Sequence, residues 1–118
     1  MASTFLKSKL HHGTITHTEL LYDGSVEIDE NILEVSGMRE YEQIDIYNAN
    51  NGERWTTYII KGRAGSGMIS VNGPGARLAA VGDFVVMCTY ETFFDNDIPK
   101  HVPTQVYLDE RNNIIKKS

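Results

Sequence analysis

The stretch Val81-Gly82-Asp83-Phe84-Val85-Val86-Met87-Cys88 sets a Gly-Asp turn directly ahead of a strongly apolar run. Glycine admits the positive φ of a tight turn, an aspartate side chain bonds nearby backbone, and a short apolar run bounded by such a turn reads as a buried strand. The same unit recurs in both directions along the chain, with β-branched and aromatic residues between turn signals. That is the pattern of a small barrel or sandwich with few helices. Downstream, Phe93–Pro99 reads as a loop, Val102–Leu108 as a last strand, and Asn112-Asn113 as a turn before a polar tail. Upstream, Met68–Val71 reads as a buried strand, and Asn72-Gly73-Pro74-Gly75 turns into a short helical stretch, Ala76–Ala80.

Farther upstream, Ile44-Asp45-Ile46-Tyr47 alternates, as does Trp55–Ile60, and Asn50-Asn51-Gly52 between them offers the positive-φ residues of a tight hairpin. Asp29 reads as the N-cap of one short helix with Ile32, Leu33 and Val35 on its apolar face and Gly37 as its stop. Phe5–His11 and Gly13–His17 read as the first two strands. Leu20–Tyr22 continues as extended chain into Gly24-Ser25, and Val26–Ile28 leaves it. The glycine-rich stretch from Gly62 to Gly67 fits neither the dinucleotide fingerprint nor the phosphate loop, and no long helix pattern follows it, so it reads as a flexible connection.

A chain of 118 residues has room for one domain with one core, spanning residues 1–118. Its net charge of −5 and pI near 5.3 argue against a nucleic-acid partner, because binding to a phosphate backbone runs on clustered Lys and Arg. A small anionic substrate stays open if a few cations gather locally. The single cysteine, Cys88, excludes an intrachain disulfide and reads as a buried small apolar residue. The N-terminus lacks the apolar core of a signal peptide and no run reaches membrane-spanning length, so the expectation is a cytoplasmic protein with no membrane partner. His11, His12, His17 and His101 show no zinc-site spacing, and no metal is expected.

Two stretches carry chemistry-bearing residues. Asp23-Gly24-Ser25 is by itself an ordinary turn tripeptide, and the Gly-x-Ser-x-Gly elbow of a serine hydrolase is absent. In Arg54-Trp55-Thr56-Thr57-Tyr58, a strict strand puts Arg54, Thr56 and Tyr58 on one face and Trp55 and Thr57 on the other. For Arg54, Thr57 and Tyr58 to serve one site, the strand must bulge or twist, or two subunits must build the site. The plainer alternative is a half-exposed strand with an aromatic core residue.

Taken together, the pieces bring a family into view. Lys9-Leu10-His11 followed by Thr14-Ile15-Thr16, Tyr22-Asp23-Gly24-Ser25 with Ile28-Asp29, Asn51-Gly52 with Arg54 and Thr57-Tyr58, Ser70-Val71-Asn72-Gly73, and Gly82-Asp83 follow in order. From end to end the chain resembles the pyruvoyl-dependent aspartate 1-decarboxylase family. Pro74 and Gly75 depart from it, standing where small alanine-like residues are usual, and Val26 follows the serine where several relatives carry other small residues.

The resemblance implies a mainly β fold, a small six-stranded double-psi β-barrel with short helices, in which Val81-Gly82-Asp83 is the Gly-Asp turn. It implies that the chain cuts itself between Gly24 and Ser25 into 1–24 and 25–118. Ser25 Oγ attacks the Gly24 carbonyl to give an ester, elimination leaves dehydroalanine, and hydrolysis releases ammonia and leaves a covalent pyruvoyl group at position 25. Thr57 would hydrogen-bond the developing oxyanion. L-aspartate would then form a Schiff base with the ketone and lose its α-carboxylate, since the carbanion needs an electron sink that no coded side chain supplies. Lys9 and Arg54 would hold the dianionic substrate, Arg54 by a forked pair of bonds. Tyr58 would protonate the α-carbon, and Asn72 with the backbone of Gly73, Pro74 and Gly75 would fix the substrate. The product is β-alanine for pantothenate and coenzyme A biosynthesis, and the assembly implied is a homotetramer with sites at subunit boundaries. Two other classes stay open: a non-enzymatic double-psi barrel binding module, and a self-processing N-terminal-nucleophile amide hydrolase, which would also break before Ser25 but keep a serine with a free amine.

Overall fold

In a computed structural model, which describes residues 1–118 with the side chain of Pro99 excepted, Gly82 takes a φ of 95°. Its turn pins two distant segments: Gly82 N donates to Ile15 O at 2.8 Å and Ile15 N donates to Asp83 O at 2.9 Å. The Asp83 carboxylate accepts from Ala80 N at 2.9 Å and from Asn48 Nδ2 at 2.8 Å, which fastens the turn to the hairpin as well.

The chain is mainly β. Among the described residues are nine strands: β1 Ala2–Thr14, β2 His17–Glu19, β3 Ser25–Asp29, β4 Gln43–Asn48, β5 Arg54–Gly62, β6 Ile69–Asn72, β7 Phe84–Phe94, β8 Thr104–Leu108 and β9 Ile114–Lys117. One α-helix, α1 Glu30–Ser36, and short 3-10 turns at Gly73–Arg77 and Ile98–Lys100 complete it. The hydrogen-bonded order is β2-β6-β3-β5-β4-β7-β1-β8-β9, with parallel pairs β1/β8, β2/β6 and β3/β5 among antiparallel ones. Inward side chains form one apolar cluster, with Leu10, Val26, Ile28, Ile46, Ile59, Val71, Val85 and Met87 fully buried. The helix packs against β1, β3, β5 and β8, so it bridges strands that lie far apart in the sheet order. Among the described residues no helix is long and apolar enough to cross a membrane.

Several expectations hold as read. Asp29 caps α1 by accepting from Asn31 N, and Gly37 ends it in the left-handed region at φ 75°. The hairpin from β4 to β5 turns at Asn50-Asn51-Gly52, with Gly52 at φ 77°. Cys88 is buried.

Others are corrected. Two of the nine strands were not expected as such: His17–Glu19 pairs with β6 as a separate strand, and the polar tail pairs with β8 as β9; neither segment has an inward apolar face to announce it. The first two strands expected are one, β1, which passes through a left-handed His12 at φ 65° where its register with β7 slips between Leu10 and Gly13. β7 runs on to Phe94, into the expected loop. The last long strand starts at Thr104 rather than Val102, and the helical turn after β6 occupies Gly73–Arg77 rather than Ala76–Ala80.

The glycine-rich connection is tied down. Asp29, only 4% exposed, accepts from Gly65 N at 3.0 Å and Gly67 N at 2.7 Å besides capping α1. Removing this carboxylate strands three backbone donors, so Asp29→Ala is expected to lower unfolding free energy by about 2–4 kcal/mol. Urea denaturation measures it, and a loss below about 0.5 kcal/mol would contradict this account.

Candidate active site

Ser25 opens β3, and the antiparallel register sets it opposite Asn72 at the end of β6. Both side chains are buried, Ser25 at 2% and Asn72 at 3% exposure. Asn72 Nδ2 donates to Ser25 Oγ at 3.2 Å, and Ser25 Oγ donates to Asp23 O at 3.3 Å, so both partners flank the bond that joins Gly24 to Ser25. After Asn72 the chain turns sharply at Gly73, φ 74°. A Cβ there would lie 2.6 Å from Gly24 Cα and 2.8 Å from Gly24 N, so only glycine allows this approach. At Gly24 itself φ is not in the left-handed region, and a Cβ would meet only Pro74 Cδ at 3.6 Å. The steric demand for glycine therefore falls on position 73, where a reading of the Gly-Ser pair alone would put it at 24.

β5 runs parallel to β3 with Val26 opposite Ile59; two residues back along each strand this sets Gly24 level with Thr57. Gly24, Trp55, Thr57, Asn72, Pro74 and Gly75 line one cleft of about 400 Å³. Gly75 makes room for the Trp55 indole, since a Cβ there would come 2.7 Å from Trp55 Nε1. Thr57 faces the cleft, although among the described residues its hydroxyl has no hydrogen bond. Trp55, read from sequence as a core aromatic, is thus also a wall of the site. Tyr22 is 59% exposed and lines a second cleft that reaches Ser70 and Asn72 from elsewhere.

Lys9, Arg54 and Tyr58 lie on the other face of the sheet. The β4/β5 register from Gln43/Tyr58 to Tyr47/Arg54 has no slip, so no bulge re-aims a side chain. Burial alternates with it: Arg54, Thr56 and Tyr58 are exposed, Trp55 and Thr57 half-buried. Tyr58 and Thr56 reach the rim of the Gly24 cleft, whereas Arg54 and Lys9 do not line it. Arg54 instead sits with Cζ 5.1 Å over the Tyr47 ring, and the Tyr47 and Tyr90 hydroxyls meet at 2.9 Å. That bond, with burial, holds the Tyr90 hydroxyl well above the usual phenol range. Lys9 precedes the fully buried Leu10 and so points outward, opposite Cys88 of β7. Burial raises the Cys88 thiol. His11, two residues on from Lys9, is lowered by burial, by His12 stacked on it at 3.9 Å and by Lys9.

Among the described residues neither Lys9 nor Arg54 has an ion-pair partner. Two unpaired cations and a phenol on one outward face, in an acidic chain, suit a small dianion. One subunit therefore carries two separate groups of candidate residues, a buried Gly24-Ser25 group and an outward face with Lys9, Arg54 and Tyr58.

The sequence profile of the family described as aspartate decarboxylase matches residues 1–115. The aspartate 1-decarboxylase of Psychromonas ingrahamii is 54% identical over 118 residues, covering 100% of this chain and 94% of that protein. The aspartate 1-decarboxylase of Methylococcus capsulatus is 53% identical with the same coverage. Among solved structures, the computationally designed protein msDPBB_sym2 is similar at a TM-score of 0.49 and 14% identity, covering 74% of this chain and 99% of that one.

Proposed function

Because the chain belongs to the aspartate decarboxylase family, we propose that it converts L-aspartate to β-alanine and carbon dioxide with a pyruvoyl group made from Ser25, on a double-psi barrel framework. The observation that carries this reading is the buried Ser25 hydroxyl, held between Asn72 Nδ2 and Asp23 O beside a Gly24 backbone that Gly73 cradles. The residues present fit such a group. Asn72 Nδ2 offers a donor at position 25, and the absence of any side chain at Gly73 keeps the space beside Gly24 for backbone alone. A ketone there would supply the electron sink for the pair left on the α-carbon when carbon dioxide departs.

The chain's own residues do the rest. Arg54 and Lys9 bind the two substrate carboxylates, and Tyr58 gives its hydroxyl proton to the α-carbon after the bond to the carboxyl carbon breaks. Thr57 donates to the Gly24 carbonyl oxygen as charge develops during self-cleavage. Gly73 and Gly75 offer backbone N–H groups to the substrate, while Pro74, which has none, does not.

Since the two half-sites face apart, the outward face of one subunit would close over the Gly24-Ser25 cleft of a neighbour. The reading is therefore of a homo-oligomer, a tetramer by family likeness, that works in the cytoplasm and supplies β-alanine for pantothenate and coenzyme A. Intact mass with Edman degradation tests the core of it. The expected result is two polypeptides, 1–24 and a larger piece on which Edman chemistry stalls. A readable start of Ser-Val-Glu would favour the N-terminal-nucleophile hydrolase instead, and an uncut chain that still decarboxylates aspartate would end the pyruvoyl reading.

A further inference from the structure

The proposed chemistry leaves one buried hydroxyl at the site without a role. Ser70 on β6 is 2% exposed, and its Oγ donates to Asn72 Oδ1 at 2.8 Å. Asn72 in turn donates from Nδ2 to Ser25 Oγ. Ser70 and Asn72 stand two residues apart on one strand, so they share a face with Ser25 across the β3/β6 pair.

The three side chains form a directional chain. The Ser25 proton goes to Asp23 O, which leaves Ser25 Oγ as the acceptor toward Asn72. An amide has one donor end and one acceptor end, and exchanging them hardly changes its shape. Its orientation is set by what its two ends meet. With the Ser70 proton on Oδ1, the Asn72 N–H end faces Ser25, and a bond accepted at the carbonyl strengthens the amide as a donor.

We propose that Ser70 is a positioning residue for self-cleavage, holding the Asn72 amide with its N–H on Ser25 Oγ. The N–H aims the oxygen at the Gly24 carbonyl carbon and stabilises the negative charge on it as its proton departs, before the new bond is complete. In that step the Oγ–C bond forms, the C–N bond between Gly24 and Ser25 breaks, and the hydroxyl proton ends on the freed amine of residue 25. The inference rests on reading Gly24-Ser25 as a self-cleaving bond.

The test follows cleavage by intact mass in chains purified promptly after expression and incubated warm, with circular dichroism to check the fold. Ser70→Ala leaves Asn72 Oδ1 unpaired and is expected to slow cleavage by about tenfold or more. Ser70→Cys, which keeps the size but is a weak donor, should be slowed similarly, and Ser70→Thr, which keeps the hydroxyl, should stay within about threefold of the unmodified chain. In an Asn72→Ala background, adding Ser70→Ala should change nothing further, because the residue acts through the amide. A folded Ser70→Ala or Ser70→Cys chain that cuts at the unmodified rate overturns the inference. So does a Ser70→Thr chain as slow as Ser70→Ala, or an additive effect on Asn72→Ala. If the unmodified chain itself stays whole, the reading of Gly24-Ser25 fails and this inference with it; if it is cut, only the Ser70 role is at stake.

Discussion

Ser25→Ala is expected to give a folded, uncut chain that releases no carbon dioxide from aspartate. The nucleophile is gone, so the ester cannot form, and with it goes every later step toward an electron sink at position 25. The loss is complete, unlike the partial loss from a misplaced donor. The structure also bears on whether the variant folds. Ser25 is not an exposed turn serine adding nothing to the interior: it is 2% exposed and pairs with Asn72. Truncating it leaves Asn72 Nδ2 without that acceptor, at a cost of about 1–3 kcal/mol. Against a total stability of about 5–15 kcal/mol for a domain this size, the fold survives. Intact mass and a carbon dioxide release assay on the same sample check both halves. Cleavage of Ser25→Ala between residues 24 and 25 would mean that another group attacks the Gly24 carbonyl.

The parts of the fold written locally were legible in the sequence. Asp29 and Gly37 bound α1 because capping depends on a few adjacent residues. Asn51-Gly52 fixed the hairpin because a tight turn needs positive φ where the chain supplies it. Strand alternation from Arg54 to Tyr58 likewise separates the two faces in the sequence itself. What stayed hidden depends on pairing at a distance. β9, Ile114–Lys117, is exposed along its length and is a strand only because β8 offers it an edge. The slip at His12 is invisible in a sequence that alternates on either side of it. At the site, the order of motifs pointed to Ser25, Asn72 and Thr57, but the contact of Asn72 with Ser25 and the crowding of Gly73 on Gly24 follow from the β3/β6 register. Ser70 stands in the same motif and on the same strand face as Asn72, but its hydrogen bond to Asn72 Oδ1 is visible only in the folded chain.

Tyr58→Phe should be cut normally and bind aspartate, yet turn over about 10²–10⁴-fold more slowly, with the loss mainly in kcat. The change removes one hydroxyl from a side chain that is 39% exposed and on the face opposite the core, so neither folding nor self-cleavage has reason to suffer. Unmodified turnover after normal cleavage would make Tyr58 a packing residue and assign the proton to another donor. The same variant also tests the arrangement of half-sites. A Tyr58→Phe subunit still makes the group at position 25, and a Ser25→Ala subunit still presents Tyr58, Lys9 and Arg54. If the outward face of one subunit closes over the cleft of the next, co-assembling these two inactive chains in equal amounts restores intact sites. Random assortment pairs a working cleft with a working face at about a quarter of the boundaries, so activity should rise toward that fraction of the unmodified enzyme. A site built within one subunit recovers nothing on mixing, since no chain in the mixture has both residues. A co-assembled sample no more active than Tyr58→Phe alone would therefore assign the working Tyr58 to the chain that carries Ser25, whose own Gly24 cleft it already rims.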